Sequence, residues 1–294
     1  MKIGVILSTY NAPQRLEPTL IGYAAQSHRD FELIVADDGS GEDTRELIRA
    51  TAARFARPIR HVWQEDVGFR KCRILNQAIL STQAEYLIFS DGDCIPREDF
   101  VAVHATAAKP GRFLSGGYFK LPAATTAAVT ESDILAGRVT AAQWLVDNGT
   151  PRDRKLAKLQ ARGWQAKLFN ALTPTAPTWN GHNASGWRTD LLQVNGFDER
   201  MAYWAQDREF GERLVNAGIR GLQVRYSAIC VHLHHERPYK TDESMERNRK
   251  IRRDTRRERK TWTQHGIVKG KSRQVRATAT DVAADVAVRN YQIS

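Results

Sequence analysis

Acidic side chains, cysteines and long apolar runs are what this sequence is short of. Its 33 Asp and Glu stand against 44 Lys and Arg, a formal charge of +11, which favours polyanionic partners such as nucleic acid, anionic lipid or phosphorylated glycans. The three cysteines, Cys72, Cys94 and Cys230, are odd in number and far apart. They provide neither a disulfide framework nor a zinc ligand set, and suit a reducing compartment. No stretch reaches the ~18 apolar residues of a membrane span, and the apolar run within residues 1–10 is too short for a signal peptide. The expectation is therefore a cytoplasmic chain, with peripheral attachment to the inner face of a membrane as its one link to lipid. No internal repeat is present. What is present is 41% hydrophobic residues over 294 positions, enough to build a core.

The first part of the chain alternates regularly. Buried-strand patterns at Ile3 to Leu7, Phe31 to Ala36, around His61 to Trp63, and at Tyr86 to Ser90 are separated by helical spacing at Leu16, Leu20 and Ala24, at Leu47, Ile48 and Phe55, and at Ile74, Leu75, Ala78 and Ile79. Four strands alternating with helices predict a mostly parallel sheet. Polar clusters end several of these strands: Ser8 to Asn11, Asp37 to Ser40, and Ser90-Asp91-Gly92-Asp93-Cys94. In open α/β sheets ligands collect beyond the carboxyl ends of the strands, and a hard divalent cation prefers carboxylate oxygens there. Asp-Gly is also an ordinary turn dipeptide, so the triplet gains meaning only from its neighbours.

Regularity then fades. Phe113 to Lys120 reads as a strand, Ala123 to Val129 gives no pattern, and Glu131 to Leu172 reads as a pair of helices, the second rich in solvated Lys and Arg. Trp179 to Trp187 reads as loop or strand with tight backbone, and Asp207 to Gly218 as a helix stopped by glycine, with Asp207 well suited to cap it. Strands follow at Leu222 to Tyr226 and Ala228 to Leu233. Ser244 to Thr263 is an Arg-dense helix, either solvated or docked on an anionic membrane surface or glycolipid phosphate. The tail from Lys269 to Ser294 has weak periodicity.

Taken in order, Ser8-Thr9-Tyr10-Asn11, Asp37-Asp38-Gly39-Ser40, Gly68-Phe69-Arg70 with Leu75-Asn76-Gln77-Ala78, Asp91-Gly92-Asp93 and Asn195-Gly196-Phe197-Asp198-Glu199 resemble family 2 glycosyltransferases over residues 1 to about 240. The later part is similar to the branch of animal β-1,4-galactosyltransferases and bacterial chondroitin-type polymerases. The resemblance implies a GT-A fold: α/β, Rossmann-like, a mostly parallel central sheet flanked by helices, with a C-terminal basic helical extension. Residues 1–110 would bind the nucleotide sugar, 111–240 would be the acceptor-binding and catalytic half of the same domain, and 241–294 a basic helical tail.

The same resemblance implies roles. Thr9, Asn11 and Asp38 would line the uracil and ribose pocket, Arg70 would lie near the nucleotide, and Asp91 would reach the ribose or the metal's shell. Asp93 would bind Mn²⁺ or Mg²⁺, joined by His235 and then His232, whose spacing of three matches the related galactosyltransferases. Asp207 would deprotonate an acceptor hydroxyl in an inverting displacement, with Glu209 as its substitute. Trp204 would lie under a sugar ring, and Asn183 and Gly181 would approach donor sugar or acceptor. Where the branch has Trp-Gly-x-Glu-Asp, this chain has Trp204-Ala205-Gln206-Asp207, so an amide replaces the carboxylate before the base. The partners implied are a nucleotide-sugar donor, taken as a UDP-sugar, and a glycan or glycolipid acceptor in bacterial surface polysaccharide or lipopolysaccharide synthesis. A relative that binds the nucleotide sugar without transfer is the alternative prompted by Gln206. A nucleic-acid partner for the basic helix would leave the motifs of residues 8–93 unexplained.

Overall fold

The computed structural model describes residues 1–236 and 241–269, and the backbone of 290–293. Strands β1 (Ile3–Thr9), β2 (Phe31–Asp37), β3 (Ile59–Trp63) and β4 (Tyr86–Asp91) alternate with the helices Pro13–Ala24, Glu42–Thr51 and Lys71–Ser81. They lie in the order β3-β2-β1-β4, all parallel. Each strand feeds two apolar layers through its period of two. In β1, Val5 and Leu7 face one layer and Ile6 the other; in β4, Tyr86 and Ile88 face the first while Leu87 and Phe89 face the second. Both faces are covered, which is why these strands read as continuous apolar runs. Each large side chain buried this way contributes about 1.5–3 kcal/mol.

The remaining strands are β5 (Cys94–Pro96), β6 (Arg112–Ser115), β7 (Gly117–Lys120), β8 (Ala184–Trp187), β9 (Arg220–Gln223), β10 (Ile229–His232) and β11 (Asn290–Ile293). The large sheet runs β11-β3-β2-β1-β4-β8-β6-β9, with β8 antiparallel to both neighbours, and a small sheet runs β5-β10-β7. The stretch Phe113 to Lys120 is thus two strands in two sheets. Chain packing forces the break: a Cβ at Gly116 would lie 1.9 Å from Asn183 Oδ1, and one at Gly117 would lie 2.1 Å from Arg225 O.

Residues 131–172 form four short helices, Glu131–Leu135, Ala142–Asp147, Ala157–Gln160 and Gly163–Leu172, rather than a pair. Gly137 and Gly149 take left-handed backbone (φ 69° and 95°) and Pro151 follows, so no long helix can run through. Ala123–Ala128 is also helical. The Arg-dense helix spans Asp242–Arg257 and packs along the helix Gln206–Asn216. Most of the tail from Lys269 to Ser294 lies outside the described residues.

Candidate active site

The strand order reverses between β1 and β4, and a cavity of about 550 Å³ opens at their carboxyl ends. That reversal is where open α/β sheets bind ligands, because the connections on either side leave in opposite directions and part. Thr9 and Asp38 line it from the ends of β1 and β2 and Asp91 from the end of β4, with Asp93, His232 and Asp207 among the other lining residues.

Strand pairing brings the histidines to Asp93. β10 runs antiparallel to β5 with His232 opposite Cys94, and Leu233 N donates to Asp93 O at 2.9 Å. His235 Nε2 lies 2.9 Å from Asp93 Oδ2 and His232 Nε2 lies 3.7 Å from Oδ1. The two rings stack at 5.3 Å, 13° from parallel. Each Nδ1 meets a carbonyl at 2.7 Å, Leu233 O for His232 and Glu236 O for His235. A carbonyl can only accept, so both Nδ1 atoms carry hydrogen and the Nε2 atoms are turned to the carboxylate. This is how protein frames fix a ligating imidazole. The Asp93 and His232 ligand atoms lie within 4.8 Å of one another and His235 Nε2 lies against Asp93, carboxylate and imidazole donors of the kind that hold a divalent cation, and imidazole suits Mn²⁺ better than Mg²⁺. Cys94 Sγ belongs to the same group, but it is a soft donor, and Mn²⁺ and Mg²⁺ favour oxygen and nitrogen donors over thiolate. Burial would raise the Asp93 carboxyl; the His235 hydrogen bond and His232 hold it below the usual range.

Lys71, which the motif reading passed over, stands at the centre. Its Nζ is 2.6 Å from Asp91 Oδ1, which also accepts from Ser8 Oγ at 2.8 Å. Burial would lower the ammonium, but the charges of Asp91 and Asp207 raise it. Asp91 is in turn held well below the usual carboxylate range by Lys71, against its own burial. A cation at the first position of a helix opposes the helix dipole, and this conflict is the signal in the sequence that could have marked Lys71. His182 and Tyr118 also line the cavity, edge to face at 4.3 Å. Burial lowers His182 to about 4, so its ring is neutral at physiological pH.

Asp207 lines the same cavity, with Lys71 and Asp91 near it. It is the second residue of the helix Gln206–Asn216, not its cap; that place belongs to Ala205, whose backbone is left-handed (φ 63°). Its carboxyl is raised, by burial first and by Asp91, while Lys71 and a hydrogen bond from the Gly181 backbone pull it down. Oδ1 has no hydrogen-bond partner among the described residues. An oxygen left open on a cavity wall can accept a hydrogen bond from what enters the cavity. A Cβ at Gly181 would lie 3.0 Å from both Asp207 oxygens, so any larger residue there would press the carboxylate out of place by a few tenths of an ångström. Gln206 lines the cavity too, its Oε1 likewise without a partner among the described residues.

The turn before Asp207 is strained and clamped. Trp204 has φ 81° and Ala205 φ 63°, a backbone region costly for bulky side chains. Asn248, buried in the Asp242–Arg257 helix, spreads its Nδ2 over three carbonyls of this turn: Ala202 at 3.2 Å, Tyr203 at 3.0 Å and Trp204 at 2.7 Å. From the other side Asn76 braces the Asn195 to Glu199 turn, accepting from Phe197 N at 2.7 Å and donating to Phe197 O at 2.9 Å. Phe197 then stacks on Phe210 of the Asp207 helix at 4.2 Å.

Several expected site residues stand elsewhere. Asn183 is wholly buried; it accepts from His104 Nε2 at 3.0 Å and donates to Gly117 O and Ala228 O, joining the two sheets instead of meeting a sugar. Glu209 is buried against Arg213 (2.8 Å) and Thr255 (2.8 Å), which leaves it no role as a base. Trp204 stands off the cavity wall with the Arg249 guanidinium 5.3 Å over its ring, and Tyr203 and Phe69 supply aromatic surface there. Asn11 is bound to the Ser40–Gly41 loop beside the cavity. Arg70 directs its amide to Asp38 Oδ2 (2.8 Å) and its guanidinium to Glu65 O. Asp38 lines the cavity but is held by Gln64 as well (2.5 Å), and burial raises its carboxyl to about 6.

This architecture is that of a GT-A protein, an α/β sheet with a ligand cavity at its switch point. Residues 4–191 match the family model for Glycosyl transferase family 2, and the chain belongs to that family. It is 28% identical over 260 residues to the validoxylamine A glucosyltransferase of Streptomyces hygroscopicus subsp. jinggangensis, covering 82% of this chain and 58% of the relative. It is 24% identical to the Escherichia coli chondroitin synthase over 82% of this chain and 36% of that one. The chain thus spans little more than half of these relatives at most. Among solved structures it is similar to S. aureus TarS 1-349 in complex with UDP-GlcNAc (TM-score 0.58, 16% identity, 85% of this chain and 65% of that one). It is also similar to a mannosyltransferase of Pyrobaculum calidifontis in complex with GDP-Man and Mn²⁺ (TM-score 0.53, 21% identity, 81% and 58%). Among the described residues no helix is long and apolar enough to cross a membrane.

Proposed function

We propose that this chain is an inverting glycosyltransferase that moves a sugar from a nucleotide donor, a UDP-sugar, to a hydroxyl of a glycan or glycolipid acceptor in surface polysaccharide or lipopolysaccharide synthesis. The observation that carries the reading is one cavity lined by two unlike carboxyls: an anionic Asp93 faced by two Nε2 atoms, and a raised, part-unpartnered Asp207. The family and the nucleotide sugars bound by the two structural relatives support the donor class.

In the mechanism that follows, Thr9 and Asp38 border the nucleoside, with Asn11 and Arg70 shaping the loops behind them. Asp207 takes the proton of the acceptor hydroxyl as its oxygen attacks the anomeric carbon; a raised carboxyl is a better base than an ordinary aspartate at neutral pH. Lys71 holds Asp91 and lowers the cost of gathering carboxylates beside a diphosphate. Gln206 offers an amide to an acceptor hydroxyl and cannot take its proton. Asp93, His232 and His235 would hold Mn²⁺ or Mg²⁺, whose charge offsets that on the leaving diphosphate.

Titration calorimetry of UDP and then GDP, with and without Mn²⁺, tests this on the wild type and Asp93→Ala. Mn²⁺-dependent UDP binding that is lost in the variant is expected. If neither nucleotide binds, the donor assignment fails.

A further inference from the structure

Away from the cavity, the helix Gly163–Leu172 has a face that sugar transfer does not use. Ala166 is its buried residue, and Asn170 anchors the same side, donating to Ser227 Oγ and accepting from Tyr226 N, both at 2.8 Å. At about 100° per residue, Trp164, Leu168 and Leu172 fall on the opposite side. They are 72%, 44% and 69% exposed, and neighbouring Phe169 is 42% exposed. Single exposed apolar residues are ordinary, but a contiguous stripe marks a contact surface.

The stripe has basic flanks. Residues 152–167 hold Arg152, Arg154, Lys155, Lys158, Arg162 and Lys167 against Asp153 alone, six positive charges less one negative, or +5. Arg152, Arg154 and Lys167 are exposed and have no ion pair among the described residues. Lys155 and Arg162 are paired, with Asp153 and with Glu98 and Asp99. The Arg-dense helix Asp242–Arg257 also mixes paired cations, Arg249, Arg252, Arg256 and Arg257, with the exposed Arg247, Lys250 and Arg253, which have no ion pair among the described residues. What it lacks is the stripe: it presents no large exposed apolar side chain.

We propose that segment 152–172, not the Arg-dense helix, docks on an anionic lipid bilayer. Trp164, Leu168 and Leu172 enter the boundary between headgroups and acyl chains, and the flanking cations meet headgroup phosphates. The combination of apolar stripe and free cations is what such a surface selects; either alone binds weakly. Lys158 donates to the carbonyl of Tyr118, which lines the cavity, so the docking face borders the cavity rim. The inference needs no donor and no transfer.

The test is cosedimentation of the full chain with vesicles of phosphatidylcholine, alone or mixed with phosphatidylglycerol. Binding is expected only to the mixed vesicles and weakens as salt rises. The blue shift in tryptophan emission on binding is expected to disappear in Trp164→Phe. The triple variant Trp164→Ser, Leu168→Ser, Leu172→Ser should bind at least about tenfold more weakly. Its thermal unfolding should be unchanged, because these side chains are already in water. Arg247→Glu with Arg253→Glu should change binding less than about twofold. Undiminished binding by the triple variant, a larger loss from the Arg247 and Arg253 pair, or no vesicle binding at all would overturn the proposal. Stripe-dependent self-association without vesicle binding would overturn it in favour of a second copy of the chain.

Discussion

The two functional carboxyls of the cavity, Asp93 and Asp207, are held by different means. At Asp93, backbone pairing does the positioning: β5 and β10 set His232 opposite Cys94, and Leu233 N is bound to Asp93 O. Sheet hydrogen bonds set this site, and no positive-φ residue is needed there. At Asp207, a left-handed Trp204–Ala205 turn delivers the carboxylate, and one amide from a helix some forty residues further on, Asn248, holds the turn's carbonyls. A strained turn does not persist unless its surroundings over-determine it. A cation-binding group can therefore be built from local pairing, whereas a base that faces a changing acceptor is suspended from a clamp.

The largest effect that would test this contrast is on the base. Asp207→Asn is expected to lower the transfer rate by about 10³-fold while UDP binding by calorimetry is unchanged; near wild-type transfer would remove Asp207 from the mechanism. Next, Asp93→Ala, or chelation of the wild type with EDTA, is expected to weaken nucleotide binding by about 100-fold, with donor binding and turnover lost together.

The clamp should separate from both. Asn248→Ala leaves three carbonyls without their donor, an expected loss of about 1–3 kcal/mol in denaturant unfolding. Steady-state kinetics should show kcat down by about tenfold with donor KM unchanged. Asn248→Asp, which offers acceptors to acceptors, should be worse than alanine. Equal losses in kcat and donor affinity would mean that the helix supports the whole domain and not the base turn.

The smallest effect is on pH dependence. Because the Asp207 carboxyl is raised and the base must be ionised, kcat should climb with pH and level off later than for an ordinary aspartate. Lys71 pulls that carboxyl down, so Lys71→Met should move the acid limb to higher pH. A shift to lower pH would contradict the placement of Lys71 beside Asp207.

Continuous apolar runs at Ile3, Phe31 and Tyr86, each ended by polar residues, were enough to give the parallel sheet and the edge where a ligand sits, since strand length and burial on both faces are local properties. The order of motifs through Asn195 to Glu199 carried the family, although Asn76 and Phe197 serve there as braces. The Asp91-Gly92-Asp93 triplet at the end of a strand marked Asp93, and the resemblance added His235 and His232 beside it. Tertiary structure alone decided the rest. Asn183 and Glu209 have the chemistry of site residues, and only their burial against His104 and Arg213 shows where that chemistry is spent. The roles of Lys71 and Asn248 depend on residues far along the chain, and so does the difference between two stretches of similar charge. Segment 152–172 and the helix Asp242–Arg257 are both basic in sequence; which cations find carboxylates, and which apolar side chains stay in water, is a matter of what packs against them.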